Sequence, residues 1–110
     1  MDAQVQLGAL RGLSPNAELV SEGGRQGVFL PQVQFDTAGG RVTRDLLLWP
    51  HEMNGYLTRL FVSEQVKHSK NYAWVASSLC GRNWWVASWQ GVSAALPWIE
   101  ILANHLRAFT

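Results

Sequence analysis

The sequence predicts an α+β domain in which an antiparallel sheet of about four strands, connected as a meander, carries a C-terminal helix on one face. Three observations lead to this prediction. Short apolar runs separated by glycine-rich turns occupy residues 17–63. After Pro97 the apolar spacing becomes that of a helix. Between these two regions lies a tryptophan-rich segment that ends at Gly91.

The composition indicates one folded domain. The sequence is 47% hydrophobic and 15% charged, a composition that excludes a disordered chain. Its length of 110 residues leaves no room for a second hydrophobic core. A formal charge of +1 does not indicate a nucleic acid or an anionic membrane as partner. The single cysteine is typical of a reducing compartment. With no apolar run long enough for a membrane span or a signal peptide, we expect a soluble cytoplasmic protein.

Residues 1–16 are predicted to form an N-terminal arm ahead of a domain that covers residues 17–110. The apolar residues of the arm are isolated, which fits either a weak strand or an irregular segment. The arm ends in a turn at Ser14-Pro15-Asn16.

The first strands are predicted around the turn Glu22-Gly23-Gly24-Arg25, a strong hairpin signal. The run from Ala17 leads into this turn, and the run that ends at Phe35 leads out of it. Pro31 cannot donate a hydrogen bond to a neighbouring strand, so we expect an edge position or a bulge there.

Two further strands are predicted on either side of Pro50. The continuous apolar run Leu46-Leu47-Leu48 is typical of a strand that is covered on both faces. The next strand is predicted over Thr58 to Ser63, and residues 72–79 could add another extended piece.

The C-terminal helix is predicted from a stripe of apolar residues at helical spacing, with Ser93 as a candidate cap and Pro97 in the first turn. The stripe consists of Ile99, Leu102, Ala103, Leu106 and Phe109.

This order of elements resembles the ubiquitin-conjugating enzyme family, in which a meander leads through an active-site loop into a helix. Leu46–Pro50 followed by Leu57–Val62 is similar to the family's strand–proline–strand passage, and Val92–Pro97 is similar to its helix entry. The hairpin Glu22–Arg25 and the segment Trp84–Trp89 are similar to compact bacterial members encoded beside ubiquitin-like modifiers.

The resemblance covers roughly residues 17–109. It implies a protein that needs no cofactor, accepts a ubiquitin-like modifier from an adenylating activating enzyme and transfers it to a target in a bacterial conjugation or antiphage pathway. The sequence departs from the family in three respects: no N-terminal helix is evident, the family's helices after the active-site helix are absent from the 110 residues, and no His-Pro-Asn motif precedes the candidate nucleophile. His68-Ser69-Lys70-Asn71 is only a loose counterpart of that motif.

Cys80 is the first candidate nucleophile, because a thiolate attacks well and a thioester transfers readily. Gly81 would leave it accessible, and Arg82 would favour its charged form. The alternative is a structural role, since free cysteines are among the residues most frequently buried.

Ser88 is the second candidate, at the position where the compact bacterial relatives have a serine, which implies an oxyester. A hydroxyl needs a base within hydrogen-bond reach. His51, His68 and His105 are the only histidines. Of these, His105 lies beside the apolar stripe of the helix and is expected to be structural. The spacing does not choose between Ser88 and Cys80.

A third possibility is a domain without a nucleophile. Such a domain would be a noncatalytic adaptor that binds the modifier or the activating enzyme, or an unrelated aromatic-rich β module that binds a peptide or carbohydrate.

Strand alternation would place Trp85 and Trp89 on one face and Trp84 on the other, with core packing as their default role. The histidines and the cysteine lack zinc-site spacing, so no metal site is predicted.

Overall fold

The computed structural model describes residues 2–110, and Met1, the first residue of the predicted arm, lies outside the described residues. Over residues 2–110 the chain forms six strands, two short α-helices and a final 3₁₀ turn. The strands are β1 (Glu18–Glu22), β2 (Arg25–Thr37), β3 (Gly40–Trp49), β4 (Arg59–Val62), β5 (Trp74–Leu79) and β6 (Arg82–Ala87). The helices are α1 (Ala3–Leu10) and α2 (Trp98–Leu106), and the 3₁₀ turn is Arg107–Phe109.

The predicted fold, a sheet of about four strands with one C-terminal helix on the plan of a ubiquitin-conjugating enzyme, is wrong. The structure has a six-stranded antiparallel sheet in the order β1-β2-β3-β4-β6-β5 and two short helices. The strands β1 to β4 form the predicted meander. The chain then passes to the outer edge of the sheet as β5 and returns as β6 between β4 and β5.

The hairpin between β5 and β6 is made by a two-residue turn at Cys80 and Gly81. Both residues have positive φ, 53° and 74°, as a tight turn between twisted antiparallel strands requires. Leu79 and Arg82 pair directly on either side of the turn. Because cysteine rarely occupies this conformation, the turn carries no clear sequence signal, and the hairpin was not predicted, although β5 lies within the extended piece predicted over residues 72–79.

The bulge predicted at Pro31 is confirmed. The register between β2 and β3 shifts between Leu30 and Val33, and Gln32 adopts a positive φ of 54°. The backbone N–H of Gln32 donates to Asp45 Oδ1 at 2.9 Å. This N–H has no partner on the neighbouring strand because of the bulge, and the Asp45 carboxylate supplies the acceptor that it needs.

Much of the predicted arm is helical. The Asp2 side chain caps α1 by accepting from the Val5 N–H at 2.9 Å, and Leu7 and Leu10 are buried. The Gln6 side chain accepts from the Trp98 N–H at 2.7 Å, so α1 satisfies the first amide of α2. The prediction of a weak strand or irregular segment was therefore wrong.

The helix α2 is confirmed, but its buried face differs from the predicted stripe. Ile101, Leu102 and His105 are buried, whereas Ala103 is exposed. The predicted cap is also wrong. Pro97 occupies the N-cap position, and Ser93 Oγ instead accepts from a nearby backbone N–H within the preceding loop.

Each face of the sheet is packed. The helix-side core joins the sheet to α1 and α2 through residues such as Leu46, Leu60 and Leu102. The opposite face carries a second-face cluster, which consists of Leu47, Trp49, Phe61, Leu79, Trp84 and Val86. As strand alternation predicts, Trp84 belongs to the second-face cluster, whereas Trp85 and Trp89 pack against the helix-side core.

In the part of the chain that the structure describes, neither helix has the length and apolar character needed to cross a lipid bilayer.

We expect Gly27→Ala to lower the free energy of unfolding by about 1–3 kcal/mol, because a methyl group there overpacks a filled site. The new Cβ would lie 2.5 Å from Trp49 Cε3 and 2.8 Å from the Leu48 carbonyl oxygen. The matched control is Gly8→Ala in α1, where a Cβ meets nothing within 4 Å. It should raise stability by up to about 1 kcal/mol through helix propensity. Urea unfolding of both variants measures the difference, and equal effects would contradict the close packing at Gly27.

Candidate functional site

The structure separates the two candidate nucleophiles. Cys80 lies in the turn before β6, and Ser88 directly follows the last residue of β6. A strand of this length places them about 20 Å apart, at about 3.3 Å per residue. Only Ser88 lies in the segment that connects the sheet to α2.

Cys80 is half-buried and is not activated. Its thiol lines a recess of about 150 Å³ together with Phe29 and Trp84. Its backbone N–H donates to Glu22 Oε1 at 3.0 Å. Burial, and then the charge of Glu22, raise the pKa of the Cys80 thiol, which disfavours the thiolate.

The prediction that Arg82 would activate Cys80 is wrong. The Arg82 guanidinium forms an ion pair with Asp45 at 3.2 Å. It also lies over the rings of Phe29 and Trp84, at 4.7 Å and 5.1 Å from their centroids. The Arg82 charge therefore interacts with Asp45 and the two rings and does not stabilise a thiolate at Cys80. The pKa of the Cys80 thiol is raised, not lowered.

Ser88 extends the pairing of β5 and β6 by one residue. Its N–H donates to the Ala73 carbonyl oxygen at 2.9 Å, and its Oγ accepts from the Ala73 N–H at 2.9 Å. The side chain is half-buried. The Ala73 amide holds Oγ in one position, and within residues 2–110 the hydroxyl proton has no hydrogen-bond acceptor.

Each of the three histidines has its own partner, and none is hydrogen-bonded to Ser88. His51 Nε2 lies 2.7 Å from the Gln26 carbonyl oxygen. His68 Nδ1 lies 2.7 Å from the Lys70 carbonyl oxygen. His105 lies on the buried face of α2, with Nε2 2.8 Å from Thr58 Oγ1. Ser88 therefore has no general base in direct contact.

Aromatic rings surround the Ser88 end of the sheet. Ala73, its hydrogen-bond partner, lies between Tyr72 and Trp74, and Trp89 follows Ser88 in the chain. Tyr72 makes edge contacts with the rings of Trp74 and Trp89, at 5.9 Å and 6.1 Å between centroids. His68 stacks on Tyr72 at 3.8 Å. These rings stiffen the backbone on both sides of Ser88.

A buried polar cluster lies at the same end of the sheet, where β4 begins. It consists of Thr58, Arg59 and His105, which are 1%, 5% and 4% exposed. Thr58 Oγ1 donates to the Val92 carbonyl oxygen at 2.9 Å and lies 2.8 Å from His105 Nε2. Since Thr58 has one hydroxyl proton, which goes to Val92, His105 Nε2 donates to Thr58 as an N–H.

His105 is neutral in this environment. Burial first, and then the nearby charge of Arg59, lower the pKa of His105 to about 4. The expected structural role of His105 agrees with this placement, because the ring ties α2 to the start of β4 through Thr58.

Arg59 holds a buried positive charge. Its Nη2 donates to the Ala87 carbonyl oxygen over a long 3.4 Å, and its Cζ lies 3.8 Å from the centroid of the Tyr56 ring. Its Nε is buried and has no hydrogen-bond partner. Burial lowers the pKa of the guanidinium, an effect that Tyr56 opposes. Over residues 2–110 the ion pairs are Arg41–Asp36 and Arg82–Asp45, so no carboxylate neutralises Arg59.

Neither Thr58 nor Arg59 was predicted as a functional residue. One signal was present, because Arg59 precedes the apolar run Leu60-Phe61-Val62 within a predicted strand. In a strand that is covered on both faces, each position is buried, so a charged residue there indicates an unusual environment.

No family model, no curated protein and no solved structure matches this chain. Among residues 2–110, no three histidine, cysteine, aspartate or glutamate side chains lie close enough together to hold a metal ion. The site consists of the half-buried hydroxyl of Ser88 and of the carbonyl group of Ala87, the preceding residue, to which Arg59 donates.

Proposed function

We propose that this protein is an acyl carrier in a ubiquitin-like conjugation pathway. Ser88 accepts the C-terminal glycine of a ubiquitin-like modifier from an adenylating activating enzyme, and the protein then passes the modifier to a target. The observation that carries the proposal is the position of Ser88. It alone of the two candidates lies in the segment between sheet and helix, where the residue order resembles that of conjugating enzymes.

The reaction at Ser88 is an acyl transfer. Oγ attacks the carbonyl carbon of the activated glycine, a C–O bond forms, the bond to the leaving group breaks, and the hydroxyl proton is released. The Ala73 N–H positions Oγ for this attack. Because no histidine contacts Ser88, the proton passes to the leaving group or to a base on the activating enzyme.

A noncatalytic adaptor is the second candidate. The observation that favours it is the lack of activation at both candidate residues: burial and Glu22 raise the pKa of Cys80, and Ser88 has no base in contact. An adaptor would bind the same modifier or activating enzyme without forming a covalent bond. The aromatic-rich β module is less favoured, because Tyr72, Trp74 and Trp89 pack against the helix-side core.

We expect a covalent adduct when the protein is incubated with a bacterial ubiquitin-like modifier, the adenylating enzyme that activates this modifier, and ATP. Intact-mass spectrometry should show one modifier added with loss of one water. Hydroxylamine should cleave the adduct and a thiol reductant should not, because an oxyester resists exchange with thiols. Ser88→Ala should eliminate the adduct.

Two matched controls accompany this experiment. Cys80→Ala should leave the adduct unchanged, and Ser78→Ala should do the same, since Ser78 is an exposed serine on β5. An adduct that persists in Ser88→Ala would overturn the proposal, and a thiol-sensitive adduct would reassign the chemistry to Cys80. Measurable binding without an adduct would establish the adaptor.

A further inference from the structure

The buried guanidinium of Arg59 is the least satisfied polar group near Ser88. Arg59 is 5% exposed, its Nε has no partner, and its one hydrogen bond, to the Ala87 carbonyl oxygen, is 3.4 Å long. A charge that is removed from water without a counter-ion is strongly unfavourable. An arginine cannot escape this cost by losing its proton. The Tyr56 ring, 3.8 Å away, gives only partial compensation.

We propose that Arg59 is an anion-binding site that takes a peptide carboxylate. The identity of the ligand rests on the proposed function: it is the free C-terminal carboxylate of the modifier before activation or after hydrolysis of the ester, because the activated glycine that Ser88 attacks no longer carries a carboxylate. The position fits this role, because Arg59 contacts the carbonyl group of Ala87, the residue before Ser88.

The geometry of the guanidinium fits a planar or tetrahedral oxyanion, and the proposed function chooses the peptide carboxylate among these. Nε and one Nη of an arginine form a planar fork that matches the two oxygens of a carboxylate. In Arg59 the Nε is unpartnered and Nη2 makes only the long bond to Ala87. A carboxylate therefore gains one hydrogen bond that the free protein lacks and can replace a weak one.

Access to the guanidinium runs past Tyr56. This ring covers Arg59 but is itself half-exposed, in the loop between β3 and β4. The neighbouring Leu57 is 51% exposed. The Tyr56 ring is therefore the group that a ligand must displace to reach Arg59.

The test is a titration of the intact protein with N-acetyl-glycylglycine, followed by NMR of the arginine Nε–H groups. The Arg59 Nε–H resonance should shift as this group gains an acceptor. The C-terminal amide of the same dipeptide should bind at least about tenfold more weakly, because it lacks the charged oxygens. Arg44 provides an internal control, since its Nε is also buried and unpartnered but lies on β3, away from Ser88. Its resonance should not move.

The variant Arg59→Met tests the assignment independently. It replaces an unpaired buried charge with an apolar chain of similar length, so the fold should be retained. Binding of the dipeptide should be lost, whereas Ser88→Ala should bind as the wild-type protein does. An unmoved Arg59 resonance, or equal responses to the acid and the amide, would overturn the inference. An equal response to inorganic phosphate would contradict the choice of a carboxylate.

The carboxylate site at Arg59 and the acyl transfer at Ser88 are tested independently of each other. The titration requires neither the activating enzyme nor Ser88, so a carboxylate site can be established when no adduct forms. An adduct at Ser88 without carboxylate binding would remove only the role of Arg59.

Discussion

Phe61→Ala is expected to lower the free energy of unfolding by about 3–5 kcal/mol, as truncation of a fully buried aromatic residue does. Phe61 is 1% exposed. It pairs with Leu47 on β3 and with Val86 on β6, in the middle of the second-face cluster. Removal of the ring leaves a cavity against Trp49 and Trp84 that the flanking strands cannot close. Urea unfolding followed by tryptophan fluorescence measures the loss.

Two variants complete this experiment. Val75→Ala lies on the edge strand β5, where the side chain is 50% exposed, and should change stability by less than about 0.5 kcal/mol. Leu102→Ala removes a buried residue of the helix-side core and should cost about 2–5 kcal/mol. If Phe61→Ala behaved like Val75→Ala, the second face would not be a packed core.

The parts of the fold that could be predicted have local causes. The turn Glu22–Arg25 joins β1 to β2 as predicted, because two adjacent glycines supply the positive φ angles that it needs. The bulge near Pro31 follows from the missing N–H of proline. The strand predicted over Thr58 to Ser63 is observed as Arg59–Val62.

The parts that could not be predicted depend on distant contacts. The helix α1 has only Leu7 and Leu10 as buried residues, and it is held by the bond from Trp98 to Gln6, 92 residues apart in the chain. The predicted extended piece over residues 72–79 contains β5, but its pairing with β6 depends on the turn at Cys80, where a residue with a side chain adopts the conformation that favours glycine. Neither feature leaves a periodic signal.

The same distinction applies to the candidate site. Ser88 and Cys80 were predicted as candidate nucleophiles by residue type, but their separation depends on the position of the β5–β6 turn, which places the two at opposite ends of β6. The buried polar cluster joins Thr58 to His105, 47 residues away, and only the packing of α2 on β4 brings them together. Spacing in the sequence carries no information on such a contact.

Acidification should destabilise this protein through His105. The pKa of this residue is about 4 in the folded state, against an ordinary value of 6.5. Between these values the unfolded chain binds more protons than the folded one, so stability is fully present above about pH 6.5 and decreases as the pH falls toward 4. From about pH 7 to about pH 4.5 the expected loss is about 2–3 kcal/mol.

Comparison with His105→Gln isolates this loss from the titration of the carboxylates, which both proteins share. Glutamine can donate to Thr58 Oγ1, as His105 Nε2 does, but it has no proton to gain. Urea unfolding at about pH 7 and about pH 4.5 should therefore show a loss that is smaller in the variant by about 2–3 kcal/mol. Parallel pH profiles would mean that the pKa of His105 in the folded protein stays near its ordinary value, so that the buried ring becomes charged on acidification at no cost in stability. That result would contradict its burial against Arg59, because a second positive charge there would have no counter-ion among residues 2–110.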